Sequence, residues 1–404
     1  MLRPSPARTT RLYAVVMSKA LISSTDALSD YCRSIADAPW VTVDTEFMRD
    51  KTYWPKLCLL QIAAPGNDTE RAIDPLAEGM DLSPVFEIMR NPRQIKIFHA
   101  ARQDLEIFYN LMDEVPAPIF DSQVAAMVCG FGDQVGYEAL VKKICRAELD
   151  KSSRFTDWAH RPLTDRQITY ALSDVTHLRD IYLFLSKRLA ETDRSHWLEE
   201  EMAILSSADT YRNEPEDAWR RVKVRGGKPR FLQVVREVAA WREREAQARD
   251  IPRNRIIKDD SLLDIAGSAP KSLDDLARIR GLGRGFAEGK LGQGVLNAVE
   301  RAMAVPKDDL PLPPKQAPLP PGLGPMTDLL KVLLKRNSES AGVASRLIAN
   351  ADDLERIAAD DAAPVPALSG WRRELFGEDA LSLKHGKIAL TGGDGGIDVI
   401  RKEG

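Results

Sequence analysis

The chain has 404 residues, a formal net charge of −3, 44% hydrophobic and 29% charged side chains, a balance typical of a globular protein. Its length predicts two or three domains. No apolar run approaches the roughly 18–20 residues that a membrane-spanning helix needs. The four cysteines form no CxxC pair, so their spacing indicates neither a disulfide framework nor a zinc site. We therefore expect a cytoplasmic protein without a membrane segment.

Residues 1–19 are predicted to be a leader outside the first domain. Residues 1–16 contain arginines and no acids, which is superficially typical of a transit peptide. Met17 opens "MSKALISSTDALSDY", which looks like an ordinary start. The leader is therefore interpreted as a disordered tail or a mis-assigned upstream extension.

The first predicted domain covers residues 20–207. N-cap residues followed by helical spacing predict a first helix over 23–38. Further helices are expected over 81–90, over 101–112 and through most of 121–205, and strands at 40–47, 56–63, 71–74, 94–100 and 118–120. The first three strands are close enough in sequence for an antiparallel meander. Because βα alternation follows, the fold class is α/β, a mixed sheet flanked by helices.

Two small all-α units are predicted beyond this domain, over 212–301 and 326–392. The linker at 302–325 contains eight prolines, typical of a semi-rigid spacer. The end, "LKHGKIALTGGDGG", is interpreted as a hairpin passing into a tail at 393–404. The sequence contains no GxxxxGK[ST] motif, which argues against a P-loop motor.

Two basic segments are candidates for contact with nucleic acid. Residues 212–301 carry 20 basic and 14 acidic side chains, and "RRVKVRGGKPR" (220–230) has six basic residues and no acid, a candidate phosphate footprint or a solvated face. In 150–163, basic side chains beside a tryptophan could bind a single-stranded 3′ end, or the tryptophan could be packed and the charges solvated. The candidates are Lys151, Arg154, Trp158, Arg161, Arg220, Arg221, Lys223, Arg225, Lys228 and Arg230.

The stretch "WVTVDTEFMRD" (40–50) places two acids on one face of a predicted strand. Side chains alternate along a strand, so Asp44 and Glu46 point the same way. Two neighbouring carboxylates repel each other, and burial increases the cost. A divalent cation reverses the problem, because hard cations prefer carboxylate oxygens. The alternative is a strand edge that exposes both acids to water.

Three further residues extend this pattern. Asp104 falls in the first turns of the helix after "IKIFHA". Tyr170 and Asp174, in "LTDRQITYALSDVTHLRDIY", are i and i+4 on one helix face, so the phenol could orient a water while the carboxylate holds a metal. Taken singly, Asp104 could be a surface charge and Tyr170 a half-buried aromatic. His99 and His177 are expected to be packing or surface residues rather than catalytic ones.

The order "DTE", "FHAARQD", "YALSD" resembles the three motifs of the DEDD superfamily of 3′-to-5′ exonucleases. Thr169 stands where the histidine branch carries its histidine, so the resemblance is to the tyrosine branch. The sequence around the motifs is similar to that of ribonuclease D over about residues 20–205. The region beginning "FLQVVREVAAWREREAQARD" resembles an HRDC domain, and residues 326–390 ("GWRRELFG") loosely resemble a second, divergent copy.

The resemblance implies a set of roles on an RNase-H-like sheet. Asp44, Glu46, Asp104 and Asp174 would hold two Mg²⁺ or Mn²⁺ ions. Asp44 would bridge the ions, Glu46 and Asp174 would hold the one nearer the nucleophilic water, and Asp104 would support the second. Tyr170 would position the attacking water. Nucleoside 5′-monophosphates would leave the 3′ ends of RNA, above all tRNA precursors and other structured RNAs with 3′ tails, with no protein partner required.

Two other functions remain open on the residues alone. A DNA exonuclease of the same superfamily would use the same metal chemistry, and matched RNA and DNA strands would distinguish the two enzymes. A non-catalytic nucleic-acid-binding protein is the second alternative. The complete set of four carboxylates and a tyrosine argues against it.

Overall fold

The computed structural model describes residues 20–150, 153, 156–224, 226–311, 320–393 and 396–402. The predicted leader therefore lies outside the described residues, as does 312–319 of the linker. Within these ranges, three hydrophobic cores account for most buried apolar side chains, one for each predicted globular unit, and a smaller apolar cluster lies against β-strands of the first unit. Among the described helices, none combines the length and apolar character needed to cross a bilayer.

In the described part of the chain, a six-stranded mixed sheet forms the first unit. Its strands are β1 (Leu21–Ile22), β2 (Trp40–Met48), β3 (Lys56–Ala63), β4 (Arg71–Ile73), β5 (Ile95–Phe98) and β6 (Ile119–Asp121), in the spatial order β1-β4-β3-β2-β5-β6. Strands β2, β3 and β4 form the predicted antiparallel meander, and β5 and β6 continue parallel to β2. Strand β1, parallel to β4, was not predicted, since two residues show no alternation. The α/β fold with a mixed sheet is confirmed.

Helices flank this sheet. They are α1 (Thr25–Ile35), α2 (Ser83–Arg90), α3 (Arg102–Met112), α4 (Ser122–Val128), α5 (Tyr137–Leu140), α6 (Asp165–Glu191) and α7 (Ser195–Leu205). A π-helical turn, Val141–Cys145, continues α5. The long helix α6 begins with a reciprocal capping box between Thr164 and Gln167, which satisfies backbone groups that the first turn leaves free.

Helix α6 lies across the acidic face of β2. The Thr42 hydroxyl donates a hydrogen bond to the Val175 carbonyl at 2.9 Å, and both groups are buried. Because side chains alternate along a strand, Asp44 and Glu46 share the face of Thr42 and point towards this helix. The strand and the helix thus bring together acids that are 130 residues apart in the sequence.

A buried lysine lies on β5, next to the edge strand β6. Lys96, on β5, is fully buried, and its ammonium donates to the carbonyls of Asn91 and Gln94, each at 2.8 Å, and of Ala117. Three acceptors match the three donors of an ammonium group. The side chain therefore fastens the start of β5 to the turn before β6.

The second unit is helical and docks on the β2–β3 hairpin. Its helices are α8 (Pro229–Arg249), α9 (Arg253–Ile256), α10 (Asp259–Ser268), α11 (Leu273–Ala277), α12 (Arg284–Ala287) and α13 (Lys290–Ala304). The backbone N–H groups of Tyr53 and Trp54, at the hairpin tip, donate to Asp250 Oδ1 at 3.0 and 2.9 Å. The Tyr53 hydroxyl donates to the fully buried Glu243. The hairpin tip is thereby part of the second core.

The third unit docks on α7. Its helices are α14 (Gly324–Ala341), α15 (Ser345–Ile348), α16 (Ala351–Ala359), α17 (Gly370–Arg372) and α18 (Glu378–Lys384). Arg372 is buried and pairs with Glu200, at 2.6 Å, and with Glu201. The rings of Trp197 and Trp371 stack with centroids 4.4 Å apart and planes 10° from parallel. Charged and aromatic contacts together fix this unit to the first.

The structure corrects the predicted tail. An antiparallel hairpin of β7 (Ile388–Gly393) and β8 (Gly396–Arg401) closes the third unit, so 396–401 belongs to a strand rather than to a tail. The predicted hairpin is present, and its second strand covers most of the segment that was assigned to the tail.

Candidate active site

Three carboxylates from two elements converge at the centre of the first unit. Ligand atoms of Asp44 and Glu46, from β2, and of Asp174, from α6, all lie within 4.8 Å of one another, and the three side chains are half-buried. Burial, with the neighbouring Asp174 carboxylate as a second cause, raises the pKa of Asp44 well above its usual value. The cluster thus holds like charges at close range, and a bound cation would relieve their repulsion.

Helix α6 places a phenol beside these acids. Tyr170 lines the same cavity as Asp174, one turn earlier on the helix. The Trp158 ring packs against Tyr170 with centroids 6.1 Å apart and is 3% exposed. The Tyr137 hydroxyl donates to the backbone carbonyl of Asp174. Aromatic packing and this hydrogen bond therefore hold the segment of α6 that faces the cavity in place.

Asp104 stands apart from the other three acids. It is buried at the start of α3 and accepts a hydrogen bond from the Thr45 hydroxyl. Burial raises its pKa well above the usual value, and the nearby Asp44 carboxylate adds to the shift. Asp104 is thus close enough to Asp44 to feel its charge, while its direct partner is Thr45, a residue that sequence reasoning did not single out.

The cavity at this site has a volume of about 420 Å³. Besides the acids and Tyr170, its lining includes His99 and the start of α5 at 136–138. His99 Nδ1 lies 2.9 Å from the Ser122 hydroxyl, and burial lowers the pKa of the imidazole to about 4, so it is neutral at physiological pH. The expected packing role of His99 agrees with these contacts. Tyr137 was missed, because no periodic signal marks a short helix after a glycine-rich turn.

The residue set fits a hard divalent cation. Asp44, Glu46 and Asp174 offer only oxygen ligands, and Mg²⁺ and Mn²⁺ are the ions that such ligands suit. Burial and the neighbouring Asp174 carboxylate raise the pKa of Asp44 because both disfavour its negative charge. A bound cation would favour that charge and so offset both effects. Asp104 is not part of this group, and it lies close enough to Asp44 for the two charges to influence each other.

The structure removes two candidates for contact with the 3′ end, and for Trp158 it favours the packed alternative. Trp158 is buried against Tyr170, so its face is not open to a base. The Arg161 guanidinium forms a two-point pair with Asp74, at 2.8 and 2.7 Å, and also donates to the Cys58 carbonyl at 2.6 Å. Both side chains hold the segment before α6 to the sheet. Lys151 and Arg154 lie outside the described residues.

The basic segment at 220–230 contains some side chains that are held by contacts within the protein and others that are exposed. Arg221 pairs with the buried Glu243 at 3.2 Å, and Arg230 donates to the carbonyls at the end of α13, so these two candidates for phosphate contact are instead held by the protein. Arg220 is exposed beside Asp217, 2.9 Å away, and Lys223 and Lys228 are exposed. Arg225 lies outside the described residues.

Comparison with known families matches two parts of the chain. Residues 20–190 match the family described as 3′-5′ exonuclease, and residues 231–299 match the HRDC domain. The first match covers all the strands of the sheet, and its range contains the three converging carboxylates and Tyr170. The second covers the helices from α8 to most of α13.

Curated relatives extend the likeness to nearly the whole chain. Ribonuclease D of Jannaschia sp. (strain CCS1) is 53% identical over 92% of this chain and 96% of its own length, and ribonuclease D of Nitrobacter hamburgensis is 52% identical over 92% and 96%. The crystal structure of Escherichia coli RNase D, an exoribonuclease involved in structured RNA processing, superposes with a TM-score of 0.77 at 31% identity, covering 91% of this chain and 98% of that one. The chain belongs to the ribonuclease D family and is a 3′-5′ exoribonuclease.

Proposed function

We propose that the chain removes nucleoside 5′-monophosphates from the 3′ ends of structured RNAs, with tRNA precursors as the physiological substrate, in a reaction that depends on two divalent cations. The observation that carries this proposal is the convergence of Asp44, Glu46 and Asp174 within 4.8 Å, in a cavity that Tyr170 also lines. Membership in the ribonuclease D family supports the reaction class.

The acids would divide the metal binding between them. Asp44, Glu46 and Asp174 would hold one Mg²⁺ or Mn²⁺ ion, and Asp44 with Asp104 would hold a second. When bound, such a pair stabilises negative charge on both the attacking and leaving oxygens of a phosphodiester. Thr45 fixes the Asp104 carboxylate by its hydrogen bond.

Tyr170 would orient the attacking water. A phenol one helical turn before Asp174 can donate or accept a hydrogen bond at the place where this carboxylate acts. Because Trp158 packs on its ring, the phenol is pre-organised, and orientation of the nucleophile is a recognised contribution to rate.

The second unit would hold the RNA body. Exposed Lys223 and Lys228, with Arg220 beside them, offer cations to phosphates in a unit docked to the catalytic domain through the hairpin tip. Contacts of this kind carry affinity without sequence preference. We also propose that residues 326–392 form a second, divergent HRDC-like domain. The proposed location of the protein is the cytoplasm.

The test is a time course on a 3′-tailed RNA hairpin labelled at its 5′ end, with Mg²⁺, Mn²⁺ or EDTA. We expect a ladder that shortens one nucleotide at a time and disappears in EDTA. Asp44→Asn should abolish cleavage and leave RNA affinity within a few-fold, and Asp50→Asn, at an exposed acid just beyond β2, is the matched control. Cleavage that persists in Asp44→Asn, or affinity that falls in parallel with activity, would contradict the assigned roles. A matched DNA strand tests the preference for RNA.

A further inference from the structure

A second cluster of metal-ligating side chains lies outside the exonuclease site. The Cys145 thiol, the His177 imidazole and the Asp180 carboxylate each offer a ligand atom within 4.8 Å of the other two. Cys145 and His177 are half-buried and Asp180 is exposed, so the cluster is open to ions from solvent. None of the three is needed for the exonuclease chemistry described above.

Two structural elements build this cluster. Cys145 is the last residue of the π-helical turn Val141–Cys145, and the next residue, Arg146, has a left-handed backbone with φ of 54°. His177 and Asp180 are i and i+3 on α6 and therefore share a face. The Cys145 sulfur lies 3.7 Å from the His177 carbonyl oxygen. Because 32 residues separate Cys145 from His177, the spacing of cysteines and histidines along the chain does not indicate such a site.

We propose that Cys145, His177 and Asp180 bind one zinc-class divalent ion, with a fourth position left to water. A thiolate and an imidazole favour Zn²⁺ or Co²⁺ over Mg²⁺, and three protein ligands with one open position are a known arrangement for zinc. On binding, the Cys145 sulfur gives its proton to solvent and forms the metal–sulfur bond, so the step needs no other reactant. The exonuclease acids offer only oxygen, so ligand chemistry separates the two sites.

The position of the site gives the ion a structural role. His177 follows Asp174 by three residues, about 4.5 Å along the helix axis. At the other end of the same segment, Tyr137 lines the exonuclease cavity and donates to the Asp174 carbonyl. An ion at Cys145 would fasten residues 137–145 to α6 at a second point. The bound ion would therefore stiffen one wall of the cavity without entering it.

Cobalt titration of the full-length, metal-free chain tests this inference. Thiolate ligation of Co²⁺ produces a sulfur-to-cobalt charge-transfer band in the near ultraviolet, which carboxylate ligands do not produce. We expect the band to saturate at one Co²⁺ per chain and to be displaced by Zn²⁺. Absence of the band at saturating Co²⁺ would overturn the proposal.

Variants assign the band to the cluster. Cys145→Ser should abolish it, and His177→Gln should weaken Co²⁺ affinity at least about tenfold, since even partners behind the ligands contribute that much. His160→Gln, at an exposed histidine, is the matched control and should bind as the parent chain does. An unchanged band in Cys145→Ser would refute the site.

A milder substitution covers the case in which Cys145→Ser does not fold. Asp180 is exposed, so Asp180→Asn should fold normally and lower Co²⁺ affinity, while Asp165→Asn, at an exposed acid on the same helix, should not. Equal affinity in both variants would remove Asp180 from the ligand set and contradict the proposal. Because the readout is a thiolate band, failure of this site would leave the exonuclease proposal unaffected.

Discussion

We expect Arg372 to make the main polar contact that holds the third unit to the first. In Arg372→Gln the ion pairs with Glu200 and Glu201 disappear, along with the Nε–H donation to the Leu347 carbonyl at 2.6 Å. Removing one partner of a fully buried pair costs about 3–5 kcal/mol. Here the two glutamate side chains are 49% and 19% exposed, and water can solvate them in part. We therefore expect a loss of about 2–3 kcal/mol in the free energy of unfolding of this unit.

Urea unfolding followed by tryptophan fluorescence measures this loss, because two of the seven tryptophans, Trp197 and Trp371, stack at the interface and contribute to the change in signal when it opens. Arg373→Gln is the matched control: its side chain is 55% exposed and 3.9 Å from its partner, so its effect should stay within about 0.5 kcal/mol. Combining Arg372→Gln with Glu201→Gln should give a coupling of about 0.5–3 kcal/mol. A loss in Arg372→Gln no larger than in Arg373→Gln would refute the reasoning.

Three further variants test other parts of the chain. Lys96→Met leaves three carbonyls without their donor and should cost about 1–3 kcal/mol in urea unfolding; unchanged stability would mean that burying the ammonium costs as much as its bonds return. Tyr170→Phe should lower kcat on the tailed hairpin about 10–100-fold at constant RNA affinity, and full activity would exclude the phenol from the reaction. Lys223→Gln with Lys228→Gln should flatten the slope of log affinity against log salt by about 0.7–0.9 for each phosphate that the variant no longer neutralises, the larger value applying to a duplex stem. An unchanged slope in filter binding would place the RNA elsewhere.

Local periodicity was sufficient for the part of the site that lies on single elements. Alternation along β2 placed Asp44 and Glu46 on one face, and the i, i+4 relation put Tyr170 beside Asp174. Both relations follow from backbone geometry within one element, so a correct element assignment was enough. The resemblance then supplied the pairing between β2 and α6, which no local pattern contains.

Contacts between distant segments could not be predicted in this way. Arg161 was one of the candidates for contact with RNA, with a solvated charge as the alternative, whereas its guanidinium pairs with Asp74, 87 residues away in the sequence. The Thr45–Asp104 hydrogen bond spans 59 residues. Nothing in the sequence around these residues indicates the partner, since a charged side chain has the same local pattern whether it meets water or a buried acid.

The docking of the hairpin tip determines how the chain can be shortened. Tyr53 is buried in the apolar core of the second unit, where its hydroxyl contacts Glu243 and its backbone N–H contacts Asp250, and the Trp54 ring packs edge-on beside it. A fragment that ends before residue 212 would expose this aromatic pair to water, next to the strand that carries Glu46. An exposed apolar patch of this kind favours self-association. Deleting the helical unit would therefore alter the solution behaviour of the catalytic fragment as well as remove the RNA contacts proposed for that unit. Lysine substitutions separate the two effects, whereas truncation does not.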